Sequence, residues 1–297
     1  MSPHTDLGEF LQTRRARLRP EEVGLAPGFG ARRVPGLRRE ELAQLAGISV
    51  DYYVRLEQGR SSRVSDTVLD AVAGALQLTD DERVHLRRLA KPAKPRQRRA
   101  KPQTVRPGLL QLLNAVGDTP AFIFGRRMEV LAWNSLACAL IADFPALPPI
   151  RRNLARLILL DEDARSLYPN REHVTGDTVG YLRLDAGRYP DDPELTALIG
   201  ELSMHSEEFR QHWAAHTVRQ KKHGFKQFNH PLVGEFELAY ETLMLPDDPD
   251  QLLTFYTAEP GSRAESNLKL LANWRPTKTS EAANSAYPAE PIDNFKT

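Results

Sequence analysis

Two histidines four residues apart, His212 and His216, come closest in this sequence to a metal site, because an i, i+4 pair shares one face of a helix. The residue after His212 is Trp213, where a zinc hydrolase of the HExxH kind carries its glutamate base. His205 and His223 are the further ligands on offer, at spacings that diagnose nothing. No glycine-rich phosphate loop, GxSxG elbow or CxxC pair occurs. The single cysteine, Cys138, sits among Leu136, Ala137, Ala139 and Leu140, the setting of a packed thiol rather than a reactive one. The sequence therefore predicts no catalytic residue, no metal site and no enzyme. Charge is the stronger chemical signal. Residues 1 to 102 hold 20 Lys and Arg against 13 Asp and Glu, whereas the remainder holds 20 against 26. Only the first part is suited to approach a polyanion.

These groups need elements to position them. At 297 residues, 41% hydrophobic and 27% charged, the chain reads as globular, with two domains. No apolar run approaches the roughly 20 residues of a membrane span. The opening MSPHTDLGEF lacks a basic-then-apolar leader, so a cytoplasmic location without a membrane partner is expected. Periodicity and capping residues predict five helices in residues 1–90, over 7–18, 37–47, 50–58, 66–76 and from 80 onward. Ser49 is the N-cap of the third, Ser65 or Asp66 of the fourth, and Thr79 or Asp80 of the fifth. A Gly/Pro-rich stretch, 20–36, follows the first helix. Residues 91–106 form a basic, proline-rich linker that cannot build a core.

Helices and strands mix in a second domain over residues 107–275. Strands are expected at 121–124, 128–133, 235–244 and 251–258, with helices at 108–116, 134–141, 151–160, 173–188, 192–204, 206–218 and 262–273. Phe236, Leu238, Tyr240, Thr242 and Met244 alternate with polar neighbours, which predicts one covered face. Residues 276–297 lack periodicity and read as a disordered tail. The predicted fold class is an all-α N-terminal domain of five helices plus an α+β domain with an antiparallel sheet.

The segment LRREELAQLAGISVDYYVRLEQG, residues 37–59, has the composition of a helix-turn-helix. Ala43 is small where two helices pack, Gly47 permits the turn, and Ile48, Tyr53 and Leu56 fix the second helix on the core. ELAQLAGIS followed by LEQG resembles the Cro/repressor (XRE) superfamily of DNA-binding domains. LGEFLQTRRARL and GLRREELAQLAGISVDYYVRLEQGR, with PAFIFGRRMEVLAWNSLACAL, EFRQHWAAHTV and HPLVGEFELAYETL, resemble the MmyB-like transcription regulators over nearly the whole chain to about Trp274.

That resemblance implies a DNA-binding regulator whose partners are a double-stranded operator and a second copy of itself. Val50, Asp51 and Arg55 would face base edges, Arg55 donating to guanine and Asp51 accepting from cytosine. Arg38, Arg39, Ser49, Tyr52 and Arg60 would meet phosphates, although packing between helices serves Tyr52 equally well. Glu57 is expected to pair with Arg15 of the first helix rather than to read a base.

For the second domain the resemblance implies a PAS-like fold and an apolar, fatty-acid-like small molecule, with no other cofactor. Phe122, Phe124, Trp133, Phe209 and Trp213 supply apolar surface, which core packing also explains. Arg183, His216 and His230 are the candidate carboxylate anchors, with pairing to a neighbouring Glu or Asp as the alternative. Two other readings remain open: an adaptor whose helix-turn-helix does not read DNA, and a metal enzyme carried on a DNA-targeting module.

Overall fold

The computed structural model describes residues 3–25, 36–60, 64–91, 103–216 and 222–274. The chain begins with α1 (Pro3–Arg17), α2 (Arg39–Leu45), α3 (Val50–Glu57), α4 (Asp66–Ala75) and α5 (Asp80–Ala90). Capping chemistry sets their starts. Ser49 Oγ accepts the Tyr52 amide at 3.2 Å and Ser65 Oγ the Val68 amide at 3.3 Å. Thr79 and Glu82 exchange reciprocal bonds at 2.9 and 3.4 Å, a capping box. Leu7, Phe10, Leu11, Leu37, Leu42, Tyr53, Leu56, Leu69, Val72 and Leu86 are buried in one cluster. Each contributes roughly 1.5–3 kcal/mol of burial. Leu184, distant in sequence, belongs to the same cluster.

The remaining elements are α6 (Pro107–Ala115), β1 (Ala121–Phe124), β2 (Val130–Trp133), α7 (Ser135–Leu140), α8 (Leu154–Leu160), α9 (Glu162–Ser166), α10 (Arg171–Arg188), α11 (Pro193–His205), α12 (Glu207–Ala214), β3 (His223–His230), β4 (Gly234–Met244), β5 (Leu252–Thr257) and α13 (Arg263–Asn273). The described strands form one antiparallel sheet in the order β2-β1-β5-β4-β3. Strand β1, interior to the sheet, is buried along its whole length, with Phe122 between Trp133 and Thr254. This is the PAS-like α+β fold.

Strand β3 and helix α9 were not predicted from sequence. HGFKQFNH forms an edge strand with Phe225 71% exposed and only Phe228 and His230 buried, so it carries too few apolar residues for a clear alternation. The covered face expected along β4 is also shorter than predicted. Phe236, Leu238 and Tyr240 are buried, but Thr242 is half-buried and Met244 is 46% exposed. The β3–β4 register runs to His223 opposite Glu241, Thr242 N donates to Lys222 O at 2.6 Å, and β5 pairs with β4 through Met244.

Contacts divide the chain otherwise than the linear boundaries at residues 90 and 107. One compact unit joins α1–α5 to α10, α11 and α12; the other holds the sheet with α6, α7, α9 and α13. In the second unit the end of the linker is fixed: Gln103 Nε2 donates to Asp250 O at 3.1 Å, Gln251 Nε2 to Thr104 O at 3.0 Å, and Arg106 pairs with Asp248 at 2.6 Å. Residues 92–102 of the linker and the tail, 276–297, lie outside the described residues.

Candidate nucleic-acid interface

Helices α2 and α3 meet at a turn where Gly47 adopts φ +63°, a conformation L side chains resist. Ala43, Tyr53 and Leu56 are fully buried beneath the turn. This fixes the rotation of α3. Tyr53, Leu56 and Glu57 point inward, while Val50, Asp51 and Arg55 lie on the outer face with Tyr52 half-buried beside them. The Arg55 guanidinium sits 5.9 Å from the Tyr52 ring centre, a cation–π approach between residues one turn apart. Val54 and Gln58 flank the same face and were not singled out from sequence; a plot of α3 in its capped phase would have found them.

Glu57 organises the underside. Its side chain is 1% exposed and accepts from Arg15 Nη2 at 3.2 Å and Arg39 Nη2 at 3.1 Å. Arg15 Nη1 also donates to Leu37 O at 2.6 Å. The pair with Arg15 is the one expected from sequence. The tie to Arg39 was not foreseen: the Glu57 carboxylate raises the pKa of that guanidinium, which remains 44% exposed. Arg38, Ser49 and Arg60 are exposed at the ends of the two helices. Gly8 of α1 was missed as well. A Cβ built there would lie 2.3 Å from the Glu57 carbonyl oxygen, so α1 and α3 approach closely only because residue 8 is glycine. A lone glycine inside a helical pattern was the available signal.

The eight candidate ligand contacts divide between the units. Phe122, Phe124, Trp133 and His230 belong to the sheet unit. Phe122 stands 6.1 Å from Tyr256, which meets Phe228 edge-on at 5.3 Å, and Phe228 in turn neighbours Phe236 and Tyr168. Trp133 packs on Phe144 at 5.1 Å, under the Arg152 guanidinium. Both nitrogens of His230 are engaged: Nε2 bonds Ala139 O at 2.9 Å and Nδ1 accepts the Leu232 amide at 3.3 Å. Burial lowers its pKa, as expected for a ring held neutral.

Arg183, Phe209, Trp213 and His216 belong to the helical unit. Arg183 lies 4.1 Å from the Trp213 ring centre and bonds His216 Nδ1 at 3.0 Å. Among the described residues no three His, Cys, Asp or Glu side chains are placed to hold a metal ion, and no helix is long and apolar enough to cross a membrane.

A helix-turn-helix with an outward-facing second helix, followed in sequence by an antiparallel PAS-like domain, defines a DNA-binding transcription regulator with a ligand-binding domain. The chain belongs to the family of the MmyB-like transcription regulator ligand binding domain, whose model matches residues 105–271, and a helix-turn-helix domain model matches residues 6–86. No curated protein matches the chain.

Proposed function

We propose that this regulator binds a palindromic operator sequence-specifically as a homodimer, in the cytoplasm, and that an apolar, fatty-acid-like molecule modulates its occupancy. It has no catalytic role in this reading. The observation that carries it is the outer face of α3, where Arg55 and Asp51 stay exposed while Glu57, the other charge at that end of the helix, is turned inward. Arg55 suits guanine O6 and N7 and Asp51 suits cytosine N4, each good pair discriminating by about 1–3 kcal/mol. Arg38, Arg39, Ser49, Tyr52 and Arg60 serve the phosphates, which orient the helix without reading sequence. One short helix covers few base pairs, so two copies over half-sites about 34 Å apart supply the usual remedy. The aromatic cluster around Phe122, Phe228 and Tyr256 supports an apolar ligand in the sheet unit. Such a ligand shifts DNA occupancy only by its difference in affinity for the competent and incompetent states.

Selection of genomic fragments by the purified protein, repeated with two variants and across salt, tests the reading. Enrichment of an inverted repeat is expected. Arg55→Ala should relax preference at one position of the repeat, whereas Arg39→Ala should weaken all DNA and lower the salt slope by about one unit. Enrichment without a shared motif, or equal losses on specific and random DNA for Arg55→Ala, would refute it.

A further inference from the structure

The C-terminal turn of α12 is held by three arginines. Arg183 of α10 donates to Trp213 O, Arg17 of α1 to Ala215 O, and Arg14 of α1 to Ala215 O at 3.5 Å and to His216 O. The last carbonyls of a helix have no intrahelical partner and carry partial negative charge, so one guanidinium there is unsurprising. Three converging, two of them buried, is a different matter. Arg14 is 4% exposed and Arg183 7%, and a buried guanidinium is costly unless it is compensated. Compensation is partial: burial lowers the pKa of both guanidinium groups to about 10, against Glu82, 2.9 Å from Arg14 Nε, and Asp6 and Glu9, which oppose the shift at Arg183. Arg14 also holds the carbonyl of His216, whose φ of +49° is a conformation non-glycine residues resist.

Helix α1 joins this clamp to the DNA-facing helix through two different faces. Phe10, Arg14 and Arg17, at i, i+4 and i+7, face α5 and the end of α12; Phe10 meets His85 edge-on at 5.2 Å. Gly8 and Arg15, seven residues apart, face α3 through the close approach at Glu57 O and the ion pair to its carboxylate. The family matches assign the two ends of this chain of contacts to different domains. Helices α1 and α3 lie in the helix-turn-helix span, α10 and α12 in the ligand-binding span. Strand β3 of the sheet begins at His223, seven residues beyond His216 in sequence.

We propose that the three-arginine clamp on the end of α12 is the coupling element of the regulator: the position of the α12 terminus sets that of α1, and through Gly8 and Glu57 that of the DNA-facing helix. A segment belonging by family to the ligand-binding domain thereby controls the geometry that reads DNA. The inference deepens the proposed ligand modulation and rests on it for its biological use.

Hydrogen exchange on the full chain tests the coupling without any ligand, using Arg183→Met and Arg17→Ala. Each removes one donor from the clamp. Amides of α1 and α3 should exchange roughly tenfold faster in either variant, with the sheet strands unchanged. On the operator from the fragment selection, affinity should fall severalfold with base preference and salt slope unaltered, since a lost phosphate contact would lower the slope. Faster exchange confined to α10–α12, or unaltered operator affinity despite loosened α1 and α3, overturns the proposal. If Arg183→Met does not fold, Arg17→Ala, whose side chain is exposed, decides alone. Should the wild-type protein select no operator, the operator reading fails, while exchange that spreads to α1 and α3 still supports the coupling.

Discussion

His85 is 2% exposed and has four cationic or ionisable neighbours. Burial, then Arg183, Arg88, Arg14 and His216, push its pKa down to about 3, and burial with Arg183, Arg14 and Arg17 pushes His216 down to about 4. Both start from 6.5 in an unstructured chain. Below about pH 6.5 the unfolded chain therefore binds protons that the folded chain refuses. The stability these neutral rings permit is complete above that pH and is lost as pH falls toward their folded values. Acidification to about pH 5 should remove on the order of 2 kcal/mol for each ring. The variant His85→Leu keeps the contact with Phe10 but has no proton to refuse, so its stability should fall less steeply. Urea unfolding followed from about pH 7.5 to 4.5 measures this, and an identical slope in the variant would mean that His85 titrates normally in the fold.

Among elements, the pairing of α1 with α3 has the least tolerance. Gly8→Ala places a methyl group 2.3 Å from a backbone oxygen that no side-chain rotation can move, so one helix must shift. A loss of about 2 kcal/mol is expected, in the range of overpacked cores, with weaker operator binding because α3 shifts too. Denaturant unfolding and operator titration report the two effects; unchanged stability would show that the helices separate freely. Much of this region was legible in the sequence. Ser49 and Gly47 fix where α3 begins, and Val50, Asp51 and Arg55, named in advance from the family resemblance, lie on its exposed face. Arg39 could not be tied to Glu57 in the same way, because that bond joins two helices and leaves no local trace. Edge strand β3 was illegible for a different reason: with Phe225 facing solvent, its composition does not separate it from a loop.

For the whole molecule, order in sequence and order in space part company. Capping and periodicity identify α10, α11 and α12, but nothing local in them says that Leu184 enters the N-terminal core or that Arg183 and His216 join Arg14. The eight candidate ligand contacts fall on both sides of that division: Arg183, Phe209, Trp213 and His216 in one compact unit, Phe122, Phe124, Trp133 and His230 in the other. A fragment ending at residue 90 retains α1–α5 but lacks Leu184 and the α12 carbonyls. It should unfold at lower urea than the same helices in the full chain, by at least about 2 kcal/mol, the worth of one buried leucine. Equal midpoints would mean that α10–α12 add nothing to the N-terminal helices. The same discontinuity acts while the protein is being made. When the ribosome has finished α5 it has still to add 126 residues before His216 emerges, roughly ten seconds of synthesis. Throughout that interval the nascent chain lacks Leu184 and the α12 carbonyls that Arg14 and Arg17 hold, so a truncated product has an unfinished DNA-binding body.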